Sequence, residues 1–193
     1  MSALSRINAL AVLGLILSLG ACQKAPEPQP QASIRDIMIS EVDPSADALW
    51  ASVGSSVTAA GTVDHRPQSD ADWQTVRRYA ITLTEAPNLL VIPGRKVAGV
   101  GQTTDDSGTP GIQKPDVIQA QIAANRPRFE RLANGLQLAG LKALKAVDAK
   151  DPAALIDAGA ALDEACEACH RTYWYPNSPE PKAPPLGLSG AKP

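Results

Sequence analysis

The last apolar stripe of this chain closes on Cys166-Glu167-Ala168-Cys169-His170. In a helix the two cysteines stand at i and i+3 and share a face, and the histidine follows on an adjacent edge. Two thiols at this spacing can reach the two vinyl groups of one porphyrin and form thioethers. The imidazole is then left to bind the iron as its proximal ligand. The chain has 3 Cys and 2 His, so most of its soft ligands fall in this pentad. A thioredoxin-like motif wants its Cys-x-x-Cys at a helix N-terminus, where the dipole favours the thiolate. Here the motif ends a helix. A zinc site wants further ligands, and only His65 and carboxylates remain once Cys22 is assigned to other chemistry. A disulfide between i and i+3 would strain the helix. The expectation is one covalent haem c, held by Cys166 and Cys169 with His170 at the iron.

Four helical segments are predicted ahead of and including this motif. The first runs from Ser33 to Ser56 on the stripe Ile34, Met38, Val42, Ala46, Trp50, Val53 and Val57. Pro44 interrupts it, as a kink or as a new start capped by Asp43. A loop, Ala59 to Gln68, carries His65. The second helix spans Asp70 to Ala86, capped by Ser69 or Asp70, with Trp73, Val76, Ala80 and Leu83 inside and Pro87 ending it. Gly99 to Gly111 reads as a long exposed loop. It lacks the Gly-Lys-Ser/Thr signature of a phosphate cradle. Pro127 splits the third segment into Asp116–Ala124 and Arg128–Val147. Phe129, Leu132, Leu136, Leu138, Leu141, Leu144 and Val147 mark its inner side. The fourth starts with Asp151 as cap and Pro152 at the first position. Leu155, Ala158, Leu162, Cys166 and Cys169 share its stripe, and it ends near Thr172. Helices of this size are each about 30 Å long. The predicted fold is all-α, an antiparallel four-helix bundle with haem near the end of the last helix.

The termini read as address and spacer. Residues 1–21 form a leader, with Arg6 before an apolar run too short to span a bilayer comfortably. It ends Leu19-Gly20-Ala21-Cys22, which resembles a bacterial lipobox with Cys22 as the lipidated residue. Gln23 follows where an Asp would resemble an inner-membrane retention signal. The expected location is therefore the periplasmic side of the cell envelope, lipid-anchored in the outer membrane. Residues 22–32 are a Pro-rich tether, 33–175 the domain, and 176–193 a Pro-rich tail. A formal charge of −2 argues against nucleic-acid binding.

A Cys-x-x-Cys-His on the last of four amphipathic helices resembles the class II c-type cytochromes, the cytochrome c prime family and its low-spin relatives. The resemblance covers Ser33 to Tyr175, and its specific part is Cys166, Cys169 and His170. It implies that two copies can pair through their first helices. The long glycine-rich loop, Pro44 and the Tyr173-Trp174-Tyr175 run depart from the family pattern.

Up-down-up-down topology puts the start of the first helix beside the end of the fourth. Met38 is then at the same end as His170 and is the candidate distal ligand, since a thioether is soft and His/Met ligation raises a haem potential. The rival reading makes Met38 a core residue over an open iron site. His65 falls at the far end, as a surface residue. Arg35, Arg95 and Lys96 are candidate partners for the haem propionates. Tyr173 and Trp174 are expected to cover the haem edge or seal the bundle end. The expected function is electron transfer with periplasmic or membrane redox proteins. The alternative is a five-coordinate haem protein that binds nitric oxide or carbon monoxide. No general base, nucleophile or metal dyad points to an enzyme.

Overall fold

The structure, a computed structural model, describes residues 28–176. The leader 1–21, Cys22 with most of the tether, and tail residues 177–193 lie outside the described residues. Residues 28–32 have no regular structure.

The first helix, α1, covers 34–51. Ser33 caps it: the Ser33 hydroxyl accepts the Asp36 amide at 3.1 Å, and the Asp36 carboxylate accepts the Ser33 amide at 2.9 Å. Two more amides of this first turn, Ile34 and Arg35, donate to the carbonyls of Lys96 and Val97. The ladder is α-helical over Ile34–Ile37, widens to a π turn over Met38–Val42, and returns to α over Asp43–Ala51. Pro44 explains the widening. It has no N–H for the Ser40 carbonyl and its ring crowds that turn. The Asp43 amide reaches back to the Met38 carbonyl instead. The helix thus neither restarts nor breaks at Pro44.

Its far end corrects the sequence reading. The helix stops at Ala51, not Ser56, and a hairpin follows: β1, Gly54–Thr58, pairs antiparallel with β2, Gly61–His65. Val57, Thr58, Thr62 and Val63 are β-branched and suit a strand. The connection is Ala59-Ala60. Gly61 after it takes φ +124°, which glycine adopts without strain. Thr58 closes the turn, accepting the Ala60 amide and donating to the Gly61 carbonyl. The described residues are mostly helical with one small two-stranded sheet, which the all-α expectation lacked.

Helix α2 spans Asp70–Leu90 under a second capping box, Ser69 with Asp72. It passes through Pro87, where an end was predicted. Pro87 removes the amide that would bond the Leu83 carbonyl. Gly140 of a neighbouring helix fills this place: a Cβ there would stand 2.8 Å from the Leu83 carbonyl oxygen. The next carbonyl, Thr84, accepts the Gln137 side-chain amide at 3.2 Å. A neighbouring helix thus packs closely over the turn that Pro87 interrupts.

Helix α3 is Pro115–Ala124, α4 is Arg126–Asp148 and α5 is Pro152–Tyr173. Asn125 caps α4 through the Arg128 amide, ahead of which Pro127 occupies the first turn. Asp151 caps α5 through the Ala154 amide at 3.0 Å, with Pro152 following. Helix α1 packs on α2, α2 on α4, α4 on α5, and α1 returns to α5. The Trp50 indole N–H locks that last contact, donating to the Gly159 carbonyl at 3.1 Å.

Leu49, Leu83, Leu155 and Leu162 are fully buried, each contributing roughly 1.5–3 kcal/mol. Leu138 and Leu141, predicted inside, are 59% and 44% exposed. The inner face of α4 is made by Phe129, Ala133, Leu136, Ala139, Gly140, Ala143, Ala146 and Val147, and Leu138 and Leu141 fall beside that stripe; the close approach to Leu83 is made at Gly140.

Candidate functional site

The start of α1 and the end of α5 border one cleft, with α3, α4 and part of the loop between α2 and α3 as its other walls. It encloses about 1040 Å³, its open mouth included. Ile118, Ile122, Phe129, Leu132 and Leu136 give it an apolar interior, while Cys166, Cys169, His170 and Tyr173 come from α5 and Arg35 and Met38 from α1. Five of the predicted site residues, Cys166, Cys169, His170, Met38 and Arg35, are therefore brought together.

Cys166, Cys169 and His170 line the cleft without converging on a point. Among the described residues no three His, Cys, Asp or Glu side chains are gathered closely enough to hold a metal ion between them. The thiols are held protonated. Burial, with Asp163 and Cys169 nearby, pushes Cys166 up to about 12, and burial pushes Cys169 up to about 11. Position agrees with this, since the negative end of the helix dipole disfavours a thiolate. Neither cysteine has the lowered pKa of a redox-active Cys-x-x-Cys.

Burial lowers the pKa of His170, against the opposing pull of Glu167 and Asp43. The imidazole is neutral at neutral pH, the form that ligates a metal. Trp174 stands edge-on to it at 5.0 Å between ring centroids, and Tyr175 at 6.0 Å. Tyr175 donates to Glu167, whose other oxygen pairs with Arg171 at 3.0 Å. Two carbonyls at the end of α5 are capped by Gln113: its backbone amide donates to Trp174 and its side chain to Tyr173.

Met38 sits at the first position of the π turn, partly buried against the core. Such turns recur at functional sites, because the extra residue re-aims the side chains around it. Ile34 and Ile39 line the same wall.

Arg35 and Arg95 part company. Arg35 lines the cleft and pairs with Asp105 at 2.7 Å, while its Nε is buried without a partner among the described residues. Arg95 is 7% exposed and does not line the cleft. Its guanidinium donates to the Leu89 and Ala32 carbonyls, tying the loop to the chain before α1. Lys96 lends the site only its backbone carbonyl, at the start of α1. His65 is exposed on the hairpin, 2.8 Å from the Ser56 hydroxyl.

Thr104 and Asp105 were not anticipated. They bring the glycine-rich loop onto the mouth of the cleft, and nothing in their spacing marked them. The π turn had a signal in Pro44. Comparison with protein-family models, curated proteins and solved structures returns no match for this chain.

Proposed function

We propose that this chain is a c-type cytochrome, with one haem held in the cleft by thioethers to Cys166 and Cys169. The observation that carries the reading is the shared cleft: an apolar chamber whose α5 wall presents two protonated thiols and a neutral imidazole, with Met38 on α1. His170 would bind the iron and Met38 would take the opposite side. Arg35, with an unpartnered Nε in this cleft, would receive a propionate. The haem, when bound, supplies one-electron chemistry. The chain orients it, keeps water from it and sets its potential through ligand, burial and hydrogen bonding.

The cycle of contacts from α1 through α2, α4 and α5 back to α1 supports an antiparallel four-helix bundle. That arrangement, with the haem motif on its last helix, resembles the class II c-type cytochromes. The hairpin and α3 are then additions to the bundle. The lipobox-like Leu19-Gly20-Ala21-Cys22 supports export and a lipid anchor on the periplasmic side of the outer membrane. There the protein would exchange electrons with periplasmic or membrane redox proteins.

The absorption spectrum of protein made with a haem-attachment system tests the ligand set. A low-spin ferric spectrum that becomes high-spin in Met38→Ala is expected. A high-spin wild type that binds carbon monoxide or nitric oxide would instead assign Met38 to packing and the iron to a five-coordinate gas site.

A further inference from the structure

The ion pair at the mouth of the cleft leaves Arg35 half used. On a guanidinium the Nε and Nη2 donors lie side by side along one edge, and a carboxylate that meets this edge squarely takes both. Asp105 reaches Nη2 alone, at 2.7 Å, and the Nε beside it is buried without a partner among the described residues. Buried polar groups are nearly always bonded. Arg35 and Asp105 both line the cleft, so the open half of the fork belongs to the same chamber as the occupied half.

The glycine-rich loop is fastened mainly at this point. Asp105 is also the loop residue that meets α5, its carbonyl accepting the Trp174 indole N–H at 3.3 Å. Before it, the Thr104 hydroxyl donates to the Gln113 carbonyl at 2.9 Å, and Gln102 reaches Asp36 at 3.4 Å. After it, residues 106–111 are exposed and make no hydrogen bond to a helix among the described residues. Left-handed backbone brackets the stretch, with φ +76° at Gly101 and +95° at Gly111. Glycine enters and leaves such conformations without steric cost. Letting go of Asp105 would thus free the loop without disturbing a helix.

We propose that the glycine-rich loop is a strap, latched by Asp105 over the haem-free cleft and released when a carboxylate of the ligand takes the Arg35 fork. The proposal rests on the haem reading above, in which that carboxylate is a propionate. Two carboxylates cannot share the Nε–Nη2 edge, so a propionate bound through both donors displaces Asp105. The latch is weak enough to exchange, being one ion pair with both charges partly in water and one hydrogen bond.

The test is proteinase K cleavage within Gly99 to Gly111, mapped by mass, in haem-loaded and haem-free protein for wild type, Asp105→Asn and the control Asp106→Asn. Cleavage of a locally opening segment follows its open population. The haem-loaded wild type is expected to be cut in the loop roughly tenfold faster than the haem-free wild type, for the loss of one exposed ion pair and a hydrogen bond. Asp105→Asn should bring the haem-free chain to the same fast rate, and Asp106→Asn should leave both rates alone. A loop cut no faster with haem than without it overturns the strap while leaving the haem reading intact. If the haem-free chain is cut throughout its length, a crystal structure of the haem-loaded protein decides. A propionate on both Nε and Nη2 of Arg35, with Asp105 withdrawn, upholds the strap, and Asp105 still on Nη2 overturns it. A wild type without covalent haem overturns both readings.

Discussion

A 2.7 Å ion pair joins Arg35 of the first helix to Asp105 of the glycine-rich loop. The carbonyl of the same Asp105 accepts the Trp174 indole N–H at 3.3 Å. One loop residue therefore ties the start of α1 to the end of α5 across the mouth of the cleft. Both charges are partly in water, at 29% and 53% exposure, so the pair itself is worth only about 0–1 kcal/mol. Its consequence is orientation, since it holds the Arg35 guanidinium at the cleft.

Asp105→Ala is accordingly expected to leave the helices folded and to lower the thermal midpoint by no more than about 5 °C. Circular dichroism at rising temperature reads both. A collapse of helicity would show that the loop, and not the helix packing, holds the two ends together.

Gly140→Ala should be far more costly than its one methyl suggests. The new Cβ would lie 2.8 Å from both the carbonyl carbon and oxygen of Leu83 and 2.9 Å from the Thr84 nitrogen. All three are backbone atoms that cannot turn aside. Overpacking of this kind costs about 1–3 kcal/mol, and denaturant unfolding should show a lowered midpoint with an unchanged slope. Gly159→Ala, which meets only the Trp50 side chain at 3.0 Å, should cost less.

The haem-free chain should protect its thiols. Relative to the ordinary value of 9.0, values of about 12 for Cys166 and about 11 for Cys169 make the thiolate scarce. Alkylation at pH 8 should slow by about a thousandfold and a hundredfold against the denatured chain. The folded values lie above the unfolded one. This contribution to stability is therefore complete below pH 9 and is lost as pH rises through 11 to 12. Alkylation in the native state as fast as in denaturant would show that the cysteines are not buried in the cleft.

Much of this was legible in the sequence because it was local. Ser69, Asp151 with Pro152, and Pro127 mark helix starts by chemistry that acts within one turn. Cys166 and Cys169 share a face, with His170 on the adjacent edge, whatever surrounds them. Several misreadings depended on distant partners. Pro87 stays inside α2 because Gly140 and Gln137, about fifty residues away, accommodate the disturbed carbonyls. Leu138 and Leu141 turn outward because the buried stripe of α4 runs through Leu136, Ala139, Gly140 and Ala143, where small residues meet α2. Arg95 resembles Arg35 in the sequence, and only the chain path assigns one to backbone carbonyls and the other to the cleft. The hairpin competed with a helix over Gly54 to Thr58, where β-branched residues and Gly61 favoured pairing.

The proposed cytochrome depends on covalent attachment at Cys166 and Cys169. Its most direct measurement is the intact mass of the denatured protein, produced with a haem-attachment system, beside the variant Cys166→Ala/Cys169→Ala. The account predicts that the wild-type polypeptide carries the mass of one haem through denaturation and that the double variant does not. A wild-type mass equal to that of the bare polypeptide would contradict it.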